Sequence, residues 1–190
     1  SLNHKTQSHI AETEKYAHAT YFLDGGVESP YEGEEYILVP SRKDVKTHDM
    51  APEMKVHEIT NKVLEKLDEG KDFIFVNFAN ADMVGHTGVF EAAVKACETV
   101  DQCNEAVTET ARKNGYAVII IADHGNADLM INEDGTPNTA HTTNLVPVIL
   151  VDDQYKGKLK SGKLGDLAPT ILTLMGIPVP KEMSGTVLID

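Results

Sequence analysis

The chain has 190 residues, of which 41% are hydrophobic and 25% charged, a balance typical of one globular domain with a real core. Its formal net charge of -13 argues against nucleic acid and anionic membranes as partners, because both attract surfaces rich in Lys and Arg. No apolar run approaches the roughly 20 residues that span a bilayer, and the first residues lack the apolar centre of a signal peptide. We therefore expect a cytoplasmic protein.

The first part of the chain predicts one helix and a loop-rich surface segment. Residues 1–9 are polar and lack periodicity, which predicts a disordered or edge segment. Residues 10–24 offer Thr13 as an N-cap before a helical pattern that two glycines end, so we expect a helix there. Residues 27–52 are rich in turn-forming and charged residues around a short strand at 36–39, which indicates a surface excursion.

The remaining sequence alternates amphipathic helices with nearly all-apolar strands. The helices are predicted at 54–69, 89–112 and 166–175, the last with Asp166 as N-cap, and the strands at 72–78, 117–122 and 145–151. This order predicts an α/β domain with a mainly parallel sheet, in which strand 117–122 is buried on both faces.

Metal-competent side chains follow two of these strands. Asp82 and His86 lie in a predicted loop after strand 72–78, Asp123 and His124 directly follow strand 117–122, and His141 comes later in the chain. Carboxylate oxygen combined with imidazole nitrogen suits Mn, Zn or Fe better than Ca or Mg. Five such ligands exceed one tetrahedral site, so they predict two metal ions in one cleft, an arrangement that clamps a phosphoryl group.

Each of these residues taken singly also fits a structural role, as a helix cap or a solvated loop side chain. The metal prediction therefore depends on their concurrence at strand ends. Lys15 has the same ambiguity. A lysine on a short helix is ordinarily a solvated surface residue, and the alternative is a point charge that steers a phosphate. No role is assigned to His9.

Several segments resemble the cofactor-independent (2,3-bisphosphoglycerate-independent) phosphoglycerate mutases, a family within the alkaline phosphatase superfamily. The resemblance runs over nearly the whole chain, and its motifs lie at residues 10–18, 80–88, 122–128, 139–142 and 166–172. It implies a three-layer αβα, alkaline-phosphatase-like domain that is incomplete at its N-terminal side. Residues 1–190 would be the C-terminal portion of the metal-binding domain, without the family's transferase domain.

The resemblance also implies roles for individual residues. Asp82, His86 and His141 would bind one Mn²⁺, Asp123 and His124 would bind a second, and Lys15 would contact the substrate phosphate during catalysis. Zn²⁺, Co²⁺ and Mg²⁺ are alternative metals. The family is a monomeric, cytoplasmic isomerase of glycolysis and gluconeogenesis that interconverts 3-phosphoglycerate and 2-phosphoglycerate through a metal-activated phosphoserine.

The chain departs from the family pattern in ways that have consequences. None of its serines stands in a motif matching the nucleophile, and the second metal site lacks a carboxylate and the serine oxygen. We therefore expect a weak second site, no mutase activity from this chain alone, and an exposed apolar edge or self-association.

Two other functions stay open: a phosphopentomutase or related phosphohydrolase, and a noncatalytic metal-binding module. In addition, Gln7-Ser8-His9-Ile10 stands where the family commonly has Gln-Leu-Arg-Ile.

Overall fold

The computed structural model describes residues 2–190; Ser1, part of the predicted polar segment, lies outside them. The strands are β1 (Gln7–Glu12), β2 (Glu34–Val39), β3 (Phe73–Asn77), β4 (Val118–Ile121) and β5 (Val148–Val151). The helices are α1 (Tyr16–Ala19), α2 (Val56–Asp68), α3 (Asn80–Gly85), α4 (Phe90–Lys113) and α5 (Leu167–Leu174). The predicted α/β class is confirmed. No helix among the described residues is both long and apolar enough to cross a membrane.

Three strands form a parallel sheet in the order β2-β1-β3, with β1 in the centre. Because the strands are parallel, each connection must return along the sheet before the next strand begins, and α2 lies in the connection from β2 to β3, which passes across β1. The register places His9 of β1 opposite Tyr36 of β2 and Phe75 of β3. The parallel arrangement predicted from the sequence is therefore present in this sheet.

The main hydrophobic core lies between one face of this sheet and the helices α2 and α4. Ile10 of β1 is fully buried there, as is Ile59 of α2. The helices bury the apolar stripes that their sequences predicted, and both observed helices agree with the predicted ranges to within two residues. The other buried members of this core are Val39, Val63, Leu67, Val107 and Ala111.

The N-terminal prediction was wrong, because the region proposed as a polar segment and a helix contains the central strand. β1 is followed by a 3₁₀ turn, Thr13–Lys15, and by α1, which has only four residues. Thr13 does not cap the helix; its hydroxyl instead accepts a hydrogen bond from the Ser41 amide. Backbone pairing with two neighbouring strands outweighs the local helix preference here.

Three further expectations need correction. Within residues 2–190, β4 pairs antiparallel with β5 in a separate two-stranded sheet, and Ile121 is 38% exposed, so this strand is neither parallel to its partner nor buried on both faces. Residues predicted as a loop after β3 form the short helix α3. Asp166 stands at the N-cap position of α5, but its carboxylate accepts hydrogen bonds from the amides of Lys163 and Thr186 instead of capping α5.

Candidate metal centre

Asp82 of α3 and His86, which caps the C-terminal end of α3 in helical conformation, point to one side because residues four apart in a helical turn lie on the same face. α3 begins at Asn80, shortly after β3, and it is anchored by the buried Val84 and by a hydrogen bond from Asn80 Nδ2 to the Pro52 carbonyl oxygen. His86 Nε2 lies 3.1 Å from Asp82 Oδ1. The first pair of predicted ligands is therefore held by an ordered helix at the carboxyl end of a parallel strand.

The loop between β4 and β5 brings His141 to this pair. The Thr142 amide donates a hydrogen bond to the Gly125 carbonyl oxygen at 2.9 Å, which fixes the loop against the residues that follow β4. His141 Nε2 then lies 3.1 Å from Asp82 Oδ1 and 3.1 Å from His86 Nε2. The structure therefore brings Asp82, His86 and His141 together.

The donor set of these three residues fits a divalent transition metal. Nitrogen and oxygen ligands bound at about 2.0–2.1 Å lie roughly 3 Å apart, close to the separations seen here. His86 Nδ1 lies 2.7 Å from the Thr139 carbonyl oxygen. A carbonyl oxygen only accepts hydrogen bonds, so Nδ1 carries a proton and Nε2 is the ring nitrogen directed at the cluster, which is the usual orientation of a metal-binding histidine.

Lys15 and Asn126 hold the Asp82 carboxylate in its charged form. Lys15 Nζ donates to Asp82 Oδ2 at 2.5 Å and Asn126 Nδ2 donates to Asp82 Oδ1 at 2.7 Å. Burial alone would raise the pKa of Asp82, but these hydrogen bonds and the lysine charge outweigh it and lower the pKa to about 2. Lys15 is only 9% exposed, so it is not the solvated side chain that its sequence position suggested.

Asp123 and His124 lie beside this cluster and are arranged less tightly. The His124 ring stacks on the His141 ring with centroids 3.7 Å apart, and His124 Nε2 lies 3.6 Å from Asp123 Oδ2. The Asp123 side chain is 57% exposed. All five predicted ligands therefore lie in one region, with three donor atoms in mutual contact and two next to them.

Two residues that organise the site were not singled out from the sequence. Asn126 fixes Asp82, and Asp128 accepts hydrogen bonds from Thr142 Oγ1 and Asn144 Nδ2, which order the loop carrying His141. Both belong to the segment 122–128 that carried the family resemblance, so the motif contained the signal. The residue types alone did not indicate a role in the site, because Asn and Asp are ordinary turn residues.

Comparison with known proteins places this arrangement in a family. The sequence pattern that defines the Metalloenzyme superfamily matches residues 1–179. The chain belongs to this superfamily. It is also 54% identical over 184 residues to the 2,3-bisphosphoglycerate-independent phosphoglycerate mutase of Bacteroides thetaiotaomicron. The identity is 57% over 184 residues to the enzyme of the same name from Salinibacter ruber. The resemblance drawn from the motifs is confirmed.

These relatives are much longer than the chain. The match covers 96% of the chain in both cases, but 36% of the Bacteroides protein and 35% of the Salinibacter protein. A crystal structure of Leishmania mexicana phosphoglycerate mutase at low cobalt concentration superimposes with a TM-score of 0.88 at 26% identity, over 98% of this chain and 37% of that one. This superfamily member thus has the fold of part of a phosphoglycerate mutase.

Proposed function

We propose that the chain is the C-terminal part of the metal-binding, phosphatase-like domain of a cytoplasmic, monomeric phosphoglycerate mutase, an isomerase of glycolysis and gluconeogenesis. The observation that carries the proposal is the convergence of Asp82, His86 and His141, with Lys15 beside them, in a chain more than half identical to named mutases. The substrate would be a phosphoglycerate, and the domain's share of the reaction would be handling of its phosphoryl group.

The ligands divide into a stronger and a weaker set. Asp82, His86 and His141 would hold one Mn²⁺ with three protein atoms, whereas Asp123 and His124 offer only two for a second ion. Zn²⁺, Co²⁺ or Mg²⁺ are the alternatives. When bound, such ions supply positive charge that stabilises a phosphoryl group during transfer. We expect the second site to be weak in this chain, because two protein ligands, one of them exposed, rarely retain a divalent ion.

Lys15 would be the residue that contacts the substrate phosphate. Its ammonium group is the charged donor nearest to the cluster carboxylate, and the 3₁₀ turn after the central strand fixes its position. A compact ammonium with three donors is well suited to a phosphate as a point charge. Its pairing with Asp82 would keep it oriented until a phosphate arrives.

The chain alone would not catalyse the reaction, because none of its serines is placed as a nucleophile. Ser8 is buried in β1, where its hydroxyl donates to Glu35 Oε1 at 2.6 Å. The other serines stand in no motif that matches the family's nucleophile; they are Ser1, Ser29, Ser41, Ser161 and Ser184. The mutase activity therefore belongs to the longer protein.

An activity assay with 3-phosphoglycerate and Mn²⁺ tests the proposal. The purified chain should give no turnover, and mixing it with the remaining segment of the Salinibacter enzyme, produced as a separate polypeptide, should restore formation of 2-phosphoglycerate. The Asp82→Asn chain should fail to restore it, whereas Asp101→Asn, which removes an exposed charge on α4, should restore it fully. Turnover by the chain alone would overturn the predicted inactivity.

The same assay addresses the other candidate functions. A folded, metal-binding chain that never restores turnover would favour a noncatalytic metal-binding module. Restored activity on phosphopentoses or simple phosphate esters, without activity on phosphoglycerate, would favour the phosphopentomutase or phosphohydrolase alternative.

A further inference from the structure

A second group of potential ligands lies away from the Asp82 cluster. His9 of β1, Asp24 of the loop after α1, and Glu34 of β2 each offer an atom, and these atoms lie within 4.8 Å of one another. His9 is 2% exposed, and alternation along the strand directs it to the sheet face opposite to Ile10 and the main core. None of these residues takes part in the proposed mutase chemistry.

The His9 ring is oriented as a metal ligand would be. Its Nδ1 lies 2.8 Å from the Ala19 carbonyl oxygen, which can only accept a hydrogen bond, so Nδ1 carries a proton. Its Nε2 is buried, has no hydrogen-bond partner, and lies 3.4 Å from Glu34 Oε1. His86 shows the same pattern, with Nδ1 on a backbone carbonyl and Nε2 directed at a carboxylate.

The charges around His9 are not balanced by side-chain cations. No Lys or Arg of residues 2–190 lies within 4.0 Å of the Asp24 or Glu34 carboxylate, and the Glu34 side chain has no exposed surface. The donors to the two carboxylates are neutral: Gln7 Nε2 and the Tyr31 amide donate to Glu34, and the Tyr36 hydroxyl donates to Asp24. A buried carboxylate without a counter-charge is costly, so a bound cation would stabilise Glu34 and the half-buried Asp24 beside it.

We propose that His9, Asp24 and Glu34 form a second, independent site for a divalent transition metal, with Zn²⁺ as the best-suited ion. One imidazole nitrogen and two carboxylate oxygens are a typical set of three protein ligands for Zn²⁺. A dipositive ion would neutralise the two carboxylates and accept the free lone pair of His9. It would also join β1 and β2 to the loop after α1, so its role would be structural.

Zinc titration calorimetry tests this site on the folded chain. In a His86→Ala/His141→Ala background, which removes the Asp82 cluster, we expect one Zn²⁺ per chain to remain bound. Adding His9→Phe, whose ring fits among Tyr36, Phe73 and Phe75, or Glu34→Gln should weaken zinc binding at least tenfold. Glu32→Gln, two residues from Glu34 but exposed, is the matched control and should leave the affinity unchanged.

Two further measurements keep the outcome decisive. Zn²⁺ should raise the melting temperature of the background variant, and Co²⁺ should give the visible absorption of a low-symmetry site that Glu34→Gln abolishes. If His9→Phe does not fold, Asp24→Asn replaces it, since Asp24 is only half-buried. The proposal is overturned if the background binds no zinc, or if the folded His9, Asp24 and Glu34 variants bind it as tightly as the background does.

Discussion

Asp82 is the side chain on which the candidate centre depends. Its two oxygens contact Lys15 and Asn126, and Oδ1 also lies 3.1 Å from both His86 Nε2 and His141 Nε2. The carboxylate is charged at neutral pH, because the hydrogen bonds from Lys15 and Asn126 outweigh the effect of burial on its pKa. A metal ion would therefore meet an ionised, oriented ligand.

Replacing Asp82 should remove this ligand and leave the buried Lys15 without its charge partner. We expect Asp82→Asn to weaken Mn²⁺ binding at least tenfold, because the neutral amide is a poor ligand and Lys15 then adds an unpaired positive charge. Isothermal titration calorimetry measures the affinity, with Asp101→Asn as the charge-matched control on an exposed face of α4. Equal Mn²⁺ affinity in the two variants would contradict the assigned role of Asp82.

The connection after β4 positions the loop that carries His141 at the candidate metal centre. A Cβ atom at Gly125 would lie 2.2 Å from Thr142 Oγ1 and 2.6 Å from Asp128 Oδ1, so a side chain there requires Thr142 and Asp128 to move. We expect Gly125→Ala to push the His141 loop away, to destabilise the fold by about 1–3 kcal/mol and to weaken Mn²⁺ binding as well.

Urea unfolding and calorimetry together check this expectation. Gly165→Ala is the control, because a Cβ atom there would meet no atom nearer than Lys163 Cε at 4.0 Å. If Gly125→Ala unfolds at the same urea concentration as Gly165→Ala and binds Mn²⁺ as tightly, the close approach is not what aligns the loop.

Asp72, which directly precedes β3, supports the pairing of β1 with β3 by binding the residues that precede β1. Asp72 accepts hydrogen bonds from Lys5 Nζ and from the Thr6 amide and hydroxyl, and these lower its pKa to about 2. A carboxyl with a depressed pKa stabilises the fold above its unfolded pKa of about 4, and this contribution is lost as the pH falls toward 2.

Asp72→Asn should therefore have an effect that depends on pH. Because the residue is partly solvated, we expect a cost of only about 1 kcal/mol at pH 7, which shrinks as the pH falls from about 4 toward 2. Urea unfolding of wild type and variant at several pH values measures the difference. A stability difference that stays constant down to the lowest pH would mean that the Asp72 charge does not stabilise this pairing.

Sequence patterns predicted some elements well and others not at all, for identifiable reasons. The helices α2 and α4 bury long apolar stripes, which are visible as periodicity. β1 could not be predicted, because its buried residues include Ser8, His9 and Glu12, whose polar groups meet partners from β2 and other distant segments. Local pattern reasoning has no access to such partners.

The candidate site was predictable in its membership but not in its arrangement. Adjacent residues such as Asp123 and His124 stand out at a strand end, and the motif resemblance grouped Asp82 and His86 with His141. The ion pair between Lys15 and Asp82 joins residues 67 positions apart, and only the folded chain reveals it. The cluster around His9 was missed for the same reason, since Asp24 and Glu34 are ordinary loop and strand residues in the sequence.

At the scale of the whole molecule, the antiparallel pair β4-β5 leaves apolar side chains in contact with water. Leu145 is 100% exposed, Ile149 49% and Ile121 38%, and β5 has no second strand partner among residues 2–190. An exposed apolar strand edge favours pairing with another chain. Against this, the net charge of -13 makes two copies repel each other, and salt screens that repulsion.

We therefore expect weak self-association that increases with both protein concentration and ionic strength. Sedimentation velocity at about 0.05 M and about 0.5 M NaCl measures it, and the weight-average sedimentation coefficient should rise more steeply at the higher salt. Leu145→Asp and Ile149→Glu should suppress the rise, because each adds a charge to the apolar edge. Leu2→Asp, at an equally exposed leucine near the start of the chain, should not. A chain that stays monomeric at all concentrations in both salts would contradict the predicted self-association through this edge.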